Sequence, residues 1–80
     1  MAEVKMYTTT WCPDCRMAKK YLETNGIAYE EINVETVSGA AELVMSINAG
    51  KRKVPTFVMG EEAFHNSPFS LALMDEKFGK

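Results

Sequence analysis

Apolar and polar positions repeat at two periods along the chain, and each change of period marks an element. Val4 to Thr8 is short, apolar and β-prone, which predicts a strand. Pro13 to Thr24 switches to the helical period, with Met17, Ala18, Tyr21 and Leu22 on one face and Arg16, Lys19, Lys20 and Glu23 mainly outside it. Asn25-Gly26 supplies the stop, because glycine suits the left-handed residue after a helix. Ile27 to Val34 predicts a second strand, with Ala28, Ile32 and Val34 on one face and Tyr29 on the other. Strand, helix, strand at this spacing is a βαβ unit, so the two strands should run parallel with a right-handed crossover.

The second half repeats the alternation. Thr36 or Ser38 is placed to cap a helix that runs to about Asn48, with Ala40, Leu43, Val44 and Ile47 as its buried stripe. Asn48-Ala49-Gly50 ends that helix, and Val54 to Met59 predicts a third strand. Gly60-Glu61 forms a two-residue turn into a fourth strand, Glu62 to His65. Ser67 is expected to cap a last helix with Pro68 at its first position and Leu71, Met74 and Phe78 facing inward. The order βαβαββα closes a four-stranded mixed sheet flanked by three helices, the minimal thioredoxin-like arrangement.

Composition narrows the class. Eighty residues bound the chain to one domain, residues 1–80, near the lower limit for a core without staples. A hydrophobic share of 46% and a charged share of 25% are ordinary for a soluble domain. A formal charge of −2 gives no electrostatic reason to expect nucleic acid or an anionic membrane as partner. Met1-Ala2-Glu3-Val4-Lys5 has no apolar core of a secretory leader, and no apolar run approaches the roughly 18 residues of a membrane span. The expected setting is cytoplasmic, where a cysteine pair is more often catalytic than structural.

Both cysteines lie in Thr10-Trp11-Cys12-Pro13-Asp14-Cys15, at the junction of a strand and a helix. A Cys-x-x-Cys there points to a thiol–disulfide redox centre. A sulfur at the first helical turn meets unpaired N–H groups and the positive end of the helix dipole, which favour its thiolate. Cys12 is then the attacking thiol, open to an incoming disulfide, and Cys15 the shielded resolving thiol. Pro13 suits a position where a missing N–H costs nothing. Asp14, beside Cys12, opposes the thiolate, although the helix end offsets part of its charge. A structural disulfide across so short a loop would stabilise little. A zinc site needs about four ligands, and His65 is the one other soft ligand in the chain, so no metal is expected.

Around this pair, Trp11 is a candidate wall for substrate or a cap on the core edge. Pro55 opens an apolar strand, where proline is tolerated at the start or the edge. The basic run Lys51-Arg52-Lys53 is either an active-site rim or a solvated loop, and His65 reads as a strand-end residue.

The chain resembles the glutaredoxin family, and within it the mycoredoxin-like branch. The resemblance rests on Tyr7-Thr8-Thr9-Thr10-Trp11-Cys12, Asn25-Gly26-Ile27-Ala28-Tyr29-Glu30-Glu31, Ala40-Ala41-Glu42-Leu43-Val44, Ser46-Ile47-Asn48-Ala49-Gly50, Val54-Pro55-Thr56 and Asn66-Ser67-Pro68. It implies that Cys12 attacks a mixed disulfide between a protein and a small thiol, with mycothiol or glutathione as co-substrate and no tightly bound cofactor. It also implies a cis peptide before Pro55, with Val54 and Pro55 presenting backbone to the substrate, and a monomer as the default.

Glutathione-using members carry Gly-Gly and then Cys-Asp-Asp before the last helix; here the positions read His65-Asn66-Ser67-Pro68-Phe69. The acidic pair is absent, which weakens the case for glutathione and agrees with a sugar-based thiol. Asn66 and Ser67 are candidate partners for its hydroxyls, with Ser67 as a plain helix cap the competing role. Two alternatives stand beside this reading. One is a thioredoxin-like electron carrier fed by a flavoprotein disulfide reductase and serving an enzyme such as ribonucleotide reductase. Such redoxins usually show Trp-Ser-Gly-Phe-Arg-Pro, which this chain lacks. The other is an iron–sulfur cluster carrier, for which Gly-Phe-Ser usually follows the first cysteine.

Overall fold

The computed structural model describes residues 4–79; Met1–Glu3, read above for the absence of a leader, and Lys80 lie outside the described residues. The elements follow as β1 (Val4–Thr8), α1 (Pro13–Thr24), β2 (Tyr29–Asn33), α2 (Ala40–Ile47), β3 (Thr56–Met59), β4 (Glu62–His65) and α3 (Leu71–Phe78). The sheet order is β2-β1-β3-β4. β1 runs parallel to β2, while β3 is antiparallel to both β1 and β4. This is the expected thioredoxin-like architecture.

Each sheet face has its own core. On one face Val4, Met6, Phe57 and Met74 pack with Ala18, Tyr21 and Leu22, which places α1 and α3 together there. On the other, Tyr7, Val34, Ala40, Ala41 and Val44 seat α2. Phe57 is wholly buried; its ring stacks on Phe64 at 5.1 Å and meets the edge of Phe78 at 5.8 Å. The Tyr21 hydroxyl donates to Asp75 at 2.8 Å and ties α1 to α3.

Several boundaries differ from the sequence reading. β2 begins at Tyr29, not Ile27, because the Ile27 N–H is spent closing α1 on the Leu22 carbonyl. β3 begins at Thr56, with Val54 and Pro55 leading into it. Neither Thr36 nor Ser38 caps α2: Gly39 stands at that position with φ 83°, and no side chain caps the helix. Ala41 is buried where Leu43 was expected; Leu43 is exposed and Ile47 half-buried.

The largest change is at α3. Ser67 is not its cap and Pro68 is not its first residue. Ser70 caps it by accepting the Leu73 N–H at 3.3 Å. The delay has a local cause: Asn66 binds the Ser70 backbone with both ends of its amide, at 2.8 and 3.1 Å, and holds residues 66–70 as a loop. The Ser67–Pro68 peptide within it is cis. Met74 and Phe78 face inward, whereas Leu71 is exposed. On α1, Met17 is likewise exposed, and Cys15 takes a place in the buried face.

Ala49 follows α2 with φ 56°, and the Gly50 N–H bonds back to the Met45 carbonyl at 2.7 Å. A left-handed residue closed by that bond is a position glycine favours. Relief of the Cβ clash outweighs the added freedom of the unfolded chain. Ala49→Gly should therefore raise stability by about 0.5–1 kcal/mol, read as a higher urea midpoint with an unchanged m-value.

Candidate active site

β1 delivers the chain to a turn that ends in Cys12, the residue capping α1. The Cys12 sulfur does the capping: it accepts the Cys15 N–H at 3.1 Å. This is the contact that a helix-end thiolate needs, with an otherwise unpaired donor aimed at the sulfur. Pro13 occupies the first helical position. Both cysteines are free thiols.

From the opposite side comes the segment before β3. The Val54–Pro55 peptide is cis, as the resemblance implied. The Cys12 thiol donates to the Val54 carbonyl at 3.7 Å, a long sulfur hydrogen bond. That contact tucks the sulfur inward and leaves Cys12 only 4% exposed, where the sequence suggested an open thiol. Trp11 and Pro13 stand out on either side of it. Trp11 is 67% exposed.

Cys15 sits deeper, at 1% exposure. Burial first, and then the hydrogen bond shared with Cys12, push its thiol from the ordinary 9.0 up to about 12. A backbone bond from Thr9 and the charge of Lys19 pull the other way. Cys15 is thus a shielded proton-bearing thiol. The hydroxyl of Thr9 is buried without a partner.

The structure brings Cys12, Cys15, Val54 and Pro55 together, with Trp11 and Pro13 on the rim. It turns Asn66 away: that residue is 1% exposed and its amide is used on Ser70. The Ser67 N–H donates to His65 Nδ1 at 3.4 Å. The basic run is divided between two sites. Lys51 and Lys53 line an open cavity of about 480 Å³ with Asn48 and His65, while Arg52 lines another with Glu35 and Glu42.

Two contacts were not foreseen. The Asp14 carboxylate accepts the Phe69 N–H at 3.2 Å, so it is tied to the loop before α3. Glu35 reaches the turn before Cys12 and binds Thr10 and Trp11. Both pairs lie far apart in sequence, and no local pattern signals them.

A thioredoxin-like sheet with a Cys-x-x-Cys at the head of α1 is the arrangement of a thiol redox protein. Comparison with known proteins sharpens the class. The Glutaredoxin family model matches residues 4–64. A Mycobacterium tuberculosis protein provisionally named a glutaredoxin is 40% identical over 67 residues, covering 84% of this chain and 80% of its own. Mycoredoxin 1 of Corynebacterium glutamicum is 37% identical over 70 residues, covering 88% and 86%. Among solved structures, the glutaredoxin of Archaeoglobus fulgidus superposes with a TM-score of 0.80 at 28% identity, over 100% of this chain and 89% of that one. The glutaredoxin-like NrdH-redoxin of Escherichia coli, described for its thioredoxin-like activity profile, gives 0.68 at 31% identity over 78% and 79%. The chain belongs to the glutaredoxin family, and its activity is that of a thiol–disulfide oxidoreductase.

The Cys15 thiol sets a pH dependence of stability. The unfolded chain releases this proton near 9.0 and the fold holds it until about 12. The unfolded state therefore binds fewer protons in that window, and stability falls as pH rises through it. Tyr21 and Tyr29, both pushed from 10.0 up to about 12 by desolvation and then by hydrogen bonds to Asp75 and Glu23, add a slope of the same sign. Urea midpoints of the reduced protein should drop between pH 9 and 11, and Cys15→Ser should flatten the drop; equal slopes in both proteins would contradict the assignment.

Proposed function

We propose that this protein reduces mixed disulfides between proteins and a small, sugar-based thiol of the mycothiol type. The Cys12 thiolate attacks the small-thiol sulfur; the new sulfur–sulfur bond forms as the old one breaks, and the protein leaves as a thiolate that takes up a proton. The adduct is cleared in one of two ways. A second small thiol attacks it and leaves with its twin as a disulfide. Alternatively Cys15 attacks Cys12, releasing the small thiol and leaving a Cys12–Cys15 disulfide that needs two electrons from a reductase.

The observation that carries the choice of thiol is the hydrogen bond between Asp14 and the Phe69 N–H. Residues 66–70 border the site, and their backbone donors are already engaged. Asn66 N–H goes to the Pro55 carbonyl, Ser67 to His65, Phe69 to Asp14 and Ser70 to Asn66; Pro68 has none. A substrate carboxylate there would meet no spare N–H in the loop and a carboxylate already in place. A neutral polyol suffers neither penalty. The lack of an acidic pair at His65–Phe69 removes the charged partner for an amino-acid ammonium as well.

Val54 and Pro55 would present backbone to the substrate in this reading, as an edge for an added extended segment. The Val54 carbonyl is held by the Cys12 thiol when no substrate is present. Ionisation of that thiol removes the donated proton and leaves sulfur facing oxygen, which favours outward rotation of the sulfur toward the substrate. A second reading, an electron carrier fed by a flavoprotein reductase, is favoured by the likeness to NrdH-redoxin.

A Cys15→Ser variant separates the two, because it traps the adduct on Cys12. Offered mycothiol-, glutathione- and coenzyme A-type mixed disulfides, it should load from the mycothiol type at least tenfold faster than from glutathione, read by intact mass. Slow and equal loading from every donor would remove the small-thiol reading in favour of the reductase-fed carrier.

A further inference from the structure

Glu35 leaves the end of β2 and turns back to the loop that precedes Cys12. Both of its carboxylate oxygens are used there: Oε1 accepts the Thr10 N–H at 3.4 Å and Oε2 accepts the Trp11 indole N–H at 3.3 Å. Its own backbone is fixed from two directions. The Glu35 N–H donates to Asn33 Oδ1 at 2.8 Å, and the Asn33 amide donates to Thr10 Oγ1 at 3.0 Å. The Val34 N–H, bonded to the Thr8 carbonyl at 2.9 Å, extends the β1–β2 pairing up to this point. The sheet register is thereby carried, link by link, into the orientation of one indole.

That indole is the largest exposed apolar side chain beside the nucleophile, and it is the sole tryptophan of the chain. An exposed ring free about two torsions loses that freedom when a substrate packs on it. A ring already held by its N–H loses less, so its face is pre-organised for docking.

We infer that Glu35 is a positioning residue, holding Trp11 as a fixed wall beside Cys12 against which the mixed disulfide lies. This rests on the reading of Trp11 as substrate-facing. The role is indirect: Glu35 acts through the indole and not on the sulfur.

Glu35→Gln leaves one acceptor oxygen for the two donors, so the amide NH₂ meets an N–H in either orientation and the two-pronged hold on the Thr10 N–H and the indole is broken. In the Cys15→Ser background the expected result is a fall of about three- to tenfold in loading rate, the range one hydrogen bond carries, seen more in the half-saturating donor concentration than in the maximal loading rate. Trp11 fluorescence anisotropy should fall, and alkylation of Cys12 by uncharged iodoacetamide should keep its rate. With Trp11→Phe, which keeps a ring but has no N–H, Glu35→Gln should cause no further loss.

Additive losses, or an alkylation rate changed by the same factor as loading, would overturn the inference and assign Glu35 to the sulfur's electrostatics or to the fold. Unchanged anisotropy overturns it as well. If no small-thiol donor loads the parent variant, the proposed function fails, and the anisotropy and alkylation measurements still decide the role of Glu35.

Discussion

One sulfur organises this structure by serving two masters at once. Cys12 caps α1 by accepting the Cys15 N–H and donates a long hydrogen bond to the Val54 carbonyl opposite it. The first contact fixes where the helix starts; the second joins that start to the segment leading into β3. Between them they align the Cys12 sulfur, the Cys15 thiol beneath it and the Val54–Pro55 backbone. The deeper thiol keeps its proton because the same packing that places it excludes water. The two sulfurs thus sit at different depths within less than one helical turn.

The rest of the site is arranged by carboxylates acting as straps. Asp14 ties the head of α1 to the loop before α3, and Glu35 ties the end of β2 to the turn before Cys12. Each takes a backbone donor that would otherwise be open at the rim. The two straps set which groups the rim exposes and leave the cysteines where they are.

Much of this was legible in the chain because it is local. The helical face of Ala18, Tyr21 and Leu22, the Asn25-Gly26 stop and the Gly60-Glu61 turn are all encoded within a few residues of where they act. The cysteine pair at a strand-to-helix junction is equally local. What escaped was decided at a distance. Ser67-Pro68 has the local signature of a helix start, yet Asn66 and Asp14 hold that segment as a loop and delay α3 to Leu71. Thr36 and Ser38 are good caps by type, but the chain reaches α2 through a left-handed Gly39. Cys12 looked open because its neighbours are; its shelter comes from Val54, which lies 42 residues away.

The outermost strands of the sheet are β2 and β4. Both carry exposed carboxylates, Glu30 and Glu31 on one and Glu62 on the other. Glu31 pairs with Lys19 and Glu62 with Lys77, so both open edges are lined with charged, hydrated groups, the kind of guard that keeps backbone edges from templating one another. A sheet this small has little core to spare. A strand laid on either edge would first have to strip water from those charges.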